Sequence, residues 1–125
     1  MPEIPGSPTP APQPAAPVIV SIDDVRRLSL KIGVVVSAED HPNADRLLVL
    51  KVDIGEGAPR QLVAGIKGAY QASDVVGKQV VVVANLKPAV LRGVESQGMV
   101  LAASDAAAMS LISPERAIPP GSPVK

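Results

Sequence analysis

Short apolar runs rich in β-branched residues recur along this chain, each set off from the next by a polar gap punctuated with glycine or proline. The runs are Leu30 to Ala38, Leu47 to Asp53, Arg60 to Ala64, Gln79 to Ala84 and Met99 to Ala103, and their lengths predict five strands. Ahead of them, Ser21-Ile22-Asp23-Asp24 predicts a helix start, with Ser21 as cap and Asp24 as the reciprocal partner of a capping box. Ile22, Val25 and Leu28 then share one face of a short helix that ends near Ser29. Between the third and fourth runs, Gly65 to Gly77 is irregular, with a short helical piece around Ser73 to Val76. Five strands with one helical insert between the third and fourth is the order of an OB-fold, so the expected architecture is an all-β, five-stranded OB-fold barrel.

Finer features follow from single residues. Gly33 inside the first strand predicts a bend or bulge where the barrel turns a corner. If its neighbours Leu30 and Ile32 face inward, Lys31 faces out. Ile54-Gly55-Glu56-Gly57 predicts a turn after the second strand. Beyond Ser104 a C-terminal extension is expected: a helical turn over Asp105 to Met109, a short strand at Leu111-Ile112 and a tight turn at Pro119-Pro120-Gly121. Residues 1–17 hold seven of the 14 prolines. Proline lacks the backbone donor and fixes φ, so this Pro/Ala-rich stretch predicts a disordered, PPII-biased tail or linker, or alternatively a docking motif for a proline-reading domain. Residues 18–125 then form the folded domain, large enough to bury a core unaided.

Composition narrows the chemistry. Cysteine is absent and His41 is the one histidine, which removes disulfides, thiolate catalysis and most metal sites. There are 12 basic and 12 acidic residues, so any contact with nucleic acid must come from local clustering rather than a generally basic surface. Tyr70 is the one aromatic residue, which argues against a single-strand coating protein that works by stacking bases. No segment resembles a signal peptide or a membrane span, and the expectation is a soluble, cytoplasmic protein without membrane association.

The most informative stretch is Asn85 to Met99, a polar segment between the four valines Val80 to Val83 and the apolar run that starts at Val100. In a small barrel such a loop sits on the rim where oligonucleotides are held. Pro88 stiffens it and Gly93 frees it, while Lys87 and Arg92 present cationic tips that can neutralise phosphates. Asn85 and Ser96 add neutral groups for sugar or base edges. The competing reading is a solvated Arg92–Glu95 couple of little energetic worth. Gly98 permits a close backbone approach, and Met99 either fills the core or offers a face to a base. His41-Pro42-Asn43-Ala44-Asp45 reads first as a rigid turn that sets strand register, with contact between His41 and RNA as the alternative. Lys67 and Lys78 are either further basic candidates or solvated surface. No catalytic constellation is present: Asp23-Asp24 and Glu39-Asp40 are sequence neighbours without a shared proton, and Gly65-Ile66-Lys67-Gly68 lacks the pattern of a phosphate loop. No cofactor or metal is expected.

Taken in order, Ile32-Gly33, His41-Pro42-Asn43-Ala44-Asp45-Arg46-Leu47, Val63-Ala64-Gly65-Ile66, Asn85-Leu86-Lys87-Pro88 and Arg92-Gly93-Val94-Glu95-Ser96-Gln97-Gly98-Met99 resemble the tRNA-binding domain found at the C-terminus of many methionyl-tRNA synthetases. The same residues are similar to free-standing tRNA-binding proteins and to the C-terminal domain of the endothelial-monocyte-activating polypeptide family. The resemblance runs from about Ile22 to Lys125. It implies an OB-fold that binds tRNA largely by shape, acting in trans or as an appendix to an aminoacyl-tRNA synthetase catalytic body, and forming a homodimer through its C-terminal part. That dimer would bury Leu111, Ile112 and Ile118. Where the family often carries Asp-Leu-Arg, this chain has Ser29-Leu30-Lys31, so a fork becomes a point charge. The reading is a non-catalytic tRNA-binding module in which Lys31, Lys87 and Arg92 hold phosphates while Asn85 and Ser96 reach sugar or base edges. The alternative is a chaperone-like or export-related dimer that binds polypeptide.

Overall fold

A computed structural model describes residues 18–125; the expectations for residues 1–17 lie outside the described residues. The elements in chain order are α1 (Ile22–Arg26), β1 (Leu30–Asp40), β2 (Leu48–Asp53), β3 (Arg60–Ala64), α2 (Ala72–Val75), β4 (Gln79–Val83), β5 (Ala89–Leu91), β6 (Val94–Ser96), β7 (Met99–Val100), β8 (Ala102–Ser104), β9 (Met109–Leu111) and β10 (Pro123–Val124). The capping box of α1 forms as the sequence predicts, with Ser21 Oγ accepting from Asp24 N–H and Asp24 Oδ2 accepting from Ser21 N–H, both at 3.2 Å.

The main sheet runs β3-β2-β1-β4-β7, all antiparallel, with β10 added to β1. It curls until β3 approaches the segment that leads into β7, giving the nearly closed five-stranded barrel of an OB-fold. The interior is aliphatic: Val35, Leu48, Leu50, Val52, Ile54, Leu62, Val80 and Val82 fill it, and Val75 of α2 packs into it. Each of these strands therefore presents its branched side chains to one closed core, as their alternation requires.

β1 can pair on both edges and turn a corner because it changes phase. The register with β2 slips between Val35 and Ser37, leaving Val36 as the extra residue of a bulge. The bulge was expected at Gly33, which does something else. A Cβ built there would lie 2.5 Å from Val52 Cγ1 and 3.0 Å from Ile54 Cγ2, so glycine is what lets β2 cross tightly at this point. The same register corrects Lys31. Lys31 lies opposite Val82 and Gly33 opposite Val80, and both valines face the core. Directly opposed residues share a face, so Lys31 points along the interior side of β1 at its open end, and Leu30 and Ile32 take the other face.

Two further expectations change. The fifth strand is split: β7 pairs with β4, whereas β8 turns away to form a hairpin with β9. The helical turn expected over Asp105 to Met109 is the tip of that hairpin. Asp105 Oδ1 accepts from Ala107 N–H and Ala108 N–H, an arrangement that draws the backbone out of a helix and into a turn. The tight turn at Pro119-Pro120-Gly121 is present, closed by Ser122 N–H donating to Pro119 O. Leu111, expected in a dimer contact, is instead a buried member of this domain's own core, and its N–H donates to Tyr70 Oη. Ile118 is tied to β4 by the Gln79 side chain, which accepts from its N–H and donates to its carbonyl.

Gly33→Ala is expected to lower stability by about 1–3 kcal/mol through overpacking against Val52 and Ile54. Urea unfolding checks this; a midpoint equal to that of wild type would mean that β2 relaxes freely at the crossing.

Candidate nucleic-acid interface

The segment between β4 and β7 is not one loop. It opens with a turn at Ala84-Asn85 and an irregular stretch through Pro88, continues as the β5–β6 hairpin and ends in the strip that closes the barrel. Each of these parts treats the candidate residues differently.

The closing strip uses side chains in place of a regular ladder. Gln97 N–H donates to Gln61 O at 2.8 Å, Gln61 N–H donates to Gln97 Oε1 at 3.2 Å, and Gln61 Nε2–H donates to Glu95 O at 2.8 Å. Ser96 Oγ accepts from Val63 N–H and donates to Gly98 O, both at 3.0 Å. Ser96 is only 4% exposed, so the expectation that it reaches sugar or base edges is corrected: it is a buried fastener of the seam. Gly98 fits the same role, because a Cβ there would stand 3.0 Å from Val83 O and 3.1 Å from Leu62 Cδ2.

Asn85 is also committed to the fold. Its Oδ1 accepts from Ser29 N–H at 2.9 Å and its Nδ2–H donates to Arg27 O at 2.6 Å. It thus pins the α1–β1 junction beside the start of β1, which fixes where Lys31 emerges.

The hairpin tip is Arg92-Gly93, both with positive φ (53° and 89°), the two-residue turn that matches strand twist. Among the described residues Arg92 is the one non-glycine residue with positive φ. A clamp holds it there. His41, only 5% exposed, contacts Leu91 O through Nε2 at 2.9 Å, and its Nδ1 accepts from Asn43 N–H at 2.9 Å. A carbonyl only accepts, so Nε2 carries the proton. Asn43 Nδ2–H in turn donates to Arg92 O at 3.2 Å. The His41-to-Asp45 turn is therefore rigid, as expected, and beyond setting register it fixes the tip that carries Arg92. The Arg92–Glu95 pair does not form: the ion pairs among the described residues are Arg26–Asp23, Arg60–Glu56 and Lys67–Asp40. Lys67 is thereby partnered.

At the opposite end of the barrel lies a groove of about 480 Å³, lined by Glu56, Pro59, Arg60, Leu86, Pro88 and Gln97 among others. Arg60, which the sequence reading passed over as the first residue of a strand, is its central group. Its Nε–H and Nη2–H donate to the two carboxylate oxygens of Glu56 at 2.9 and 2.8 Å, and Nη1–H donates to Ala84 O at 2.5 Å and Gln97 O at 3.0 Å. One guanidinium thus ties β3, the end of β4 and the seam together. The only sequence signal for this was an i, i+4 Glu–Arg spacing across a glycine turn. Hydrogen bonding from Arg60 holds the Glu56 carboxyl below its ordinary value, with further help from the charges of Arg60 and Lys31. Lys31 therefore lies within electrostatic reach of the groove, and Lys87 sits between Leu86 and Pro88, two of its lining residues. Arg92 is separate: five extended residues beyond Lys87, it lies up to roughly 16 Å along the hairpin. Lys87 thus adjoins the groove along the chain, and Arg92 stands at the far tip.

The nearly closed antiparallel sheet β3-β2-β1-β4-β7 is an OB-type barrel, a class of fold that binds oligonucleotides and oligosaccharides. The family described as "Putative tRNA binding domain" matches residues 30–123, and this chain belongs to that family. It is similar to the methionine–tRNA ligase of Thermococcus kodakarensis, with 47% identity over 106 residues, 85% of this chain and 14% of that enzyme. The chain thus spans a small part of the curated relatives it matches. Among solved structures, it resembles the MetRS related protein from Pyrococcus horikoshii (TM-score 0.80, 32% identity, covering 86% of this chain and 99% of that one). It also resembles the chaperone CsaA from Bacillus anthracis (TM-score 0.78, 30% identity, covering 86% and 100%).

Ser96→Ala is expected to cost about 1–3 kcal/mol, because it leaves the buried Val63 N–H without an acceptor. The measurements are urea unfolding and faster hydrogen exchange at Val63. The Glu56–Arg60 pair makes a pH-dependent prediction. The folded value of Glu56 lies below the ordinary 4.5, so its contribution is complete above about 4.5 and disappears as pH falls through the folded value. Glu56→Gln is therefore expected to be less stable than wild type at neutral pH, with the two melting curves converging in acid.

Proposed function

We propose that this domain holds tRNA through its phosphate backbone, as an accessory part of a methionine–tRNA ligase. Lys31 and Lys87 engage phosphates beside the groove, and Arg92 engages one further along the strand. The observation that carries this reading is the clamped hairpin tip, where three hydrogen bonds keep an exposed arginine in a strained backbone conformation with no acidic partner. The backbone that carries the guanidinium is already ordered, so binding costs side-chain entropy but little backbone entropy at the tip. Family membership and likeness to methionine–tRNA ligases support tRNA as the ligand. Tethered to a catalytic body, even a weak site raises the local concentration of tRNA.

The likeness to a chaperone favours a second reading, polypeptide binding. Val18, Ile19 and Val20 are exposed ahead of α1 and offer an apolar surface for it. Homodimerisation is compatible with both readings; of the apolar residues expected to serve it, Ile112 and Ile118 remain exposed. An unfolded polypeptide that displaces tRNA would favour the second reading.

The Lys87→Ala, Arg92→Ala double variant is expected to weaken tRNA binding at low salt by about tenfold or more and to flatten the log K against log salt slope by about 1.5–2. Filter binding across a salt series measures both. Affinity and slope equal to wild type would remove these residues from the interface.

A further inference from the structure

A carboxylate is an odd neighbour for a phosphate. Glu56 is half-exposed at the groove, with Lys31 close enough to act on it and Arg60 bonded to it. Were the groove only a phosphate cradle, Glu56 would cancel a cation and repel the ligand. Three properties suit it to a different part of a nucleotide. Its walls at Leu86, Pro88 and Pro59 are apolar, Leu86 is 45% exposed, and the space of about 480 Å³ accommodates a nucleoside. Each Glu56 oxygen accepts one bond from Arg60, which leaves lone pairs free to accept another. Gln97 spends its carbonyl on Gln61 N–H, so its amide keeps donor capacity beside that acceptor.

We propose that this groove takes one unstacked cytosine or adenine, bases whose exocyclic amino group adjoins a ring acceptor, which lies on Leu86, Pro88 and Pro59 and donates an amino hydrogen to Glu56. The proposal rests on the tRNA reading above and adds base selectivity to a site otherwise governed by charge and shape. Uracil fits poorly. Its Watson–Crick edge has one donor, N3–H, flanked on both sides by carbonyl oxygens that repel a carboxylate. Cytosine and adenine present their amino groups at the end of the edge, next to a ring nitrogen that can accept from Gln97. The guanidinium of Arg60 adds a flat cationic surface at the groove wall, of the kind on which unpaired bases stack. Flanking cations at Lys31 and Lys87 would hold the phosphates on either side of the inserted base.

The test uses neutral nucleosides, which removes phosphate attraction from the measurement. Cytidine, adenosine and uridine are titrated into isotope-labelled full-length chain, and the Leu86 methyl and Gln97 side-chain amide signals are followed. Cytidine and adenosine are expected to bind about fivefold more tightly than uridine. Glu56→Gln, which adds a donor, is expected to erase that preference. Leu86→Ala is expected to weaken all three nucleosides and leave the melting temperature unchanged. Equal response to uridine and cytidine in wild type, a preference that survives in Glu56→Gln, or no response at the groove to any nucleoside would each overturn the proposal. The tRNA titration of the Lys87→Ala, Arg92→Ala variant reports separately on the phosphate reading, so failure of one is distinguishable from failure of the other.

Discussion

The structure depends on how the barrel is closed. A five-stranded sheet curled this tightly has to satisfy the outer edge of β3, and no continuous strand lies there to do so. Ser96, Gln97 and Gln61 supply the missing bonds with side chains, and Arg60 anchors the end of the seam through two carbonyls. Buried backbone donors such as Val63 N–H need an acceptor, which the Ser96 hydroxyl supplies, while Gly98 lets the strip approach Val83 and Leu62 closely. The Ser96-Gln97-Gly98 sequence is therefore first a closure device.

The same economy governs the far end of the hairpin. His41 and Asn43 belong to the β1–β2 connection, yet their hydrogen bonds terminate on Leu91 and Arg92. The barrel's first connection thereby fixes the geometry of a turn some fifty residues later. A left-handed arginine is costly without such support. Fastening its carbonyl from outside lets the side chain point away from the barrel while the backbone stays put.

Much of the fold was legible because the physics was local or strongly periodic. The capping box at Ser21 and Asp24, the bounds of β3 and the start of β4 match their sequence signals. What stayed hidden required long-range facts. Strict period-two reading of β1 put Lys31 outside, but its register with β4 shows that the inward phase before the bulge is the odd-numbered one. The β5–β6 hairpin was missed because Arg92-Gly93 is an uncommon pair for a turn that needs two positive φ angles, and only the clamp from His41 and Asn43 makes it stable. Ser96 and Asn85 looked like surface donors, since sequence does not show which backbone groups lack partners; those groups, Val63 N–H and Ser29 N–H, lie thirty to sixty residues away. Lys87 and Arg92 were the easier residues to single out, because a cation on a proline- or glycine-bounded turn is exposed wherever the chain goes.

An electroneutral chain in a tRNA-binding family is then less paradoxical. Balance between 12 basic and 12 acidic residues says nothing about where the unpaired charges stand. Three of the twelve described cations are partnered by carboxylates at Asp23, Glu56 and Asp40; the other nine, Lys31, Lys87 and Arg92 among them, form no such pair among the described residues. Charge neutral overall but locally uncompensated produces short-range attraction that fades within a Debye length, roughly 8 Å at physiological salt. On the proposed reading, such a surface would not gather polyanions from a distance but would favour those whose phosphates match the spacing of a few exposed cations. Selectivity for shape follows from that arrangement more readily than from a strongly basic face, where almost any nucleic acid would find enough positive charge.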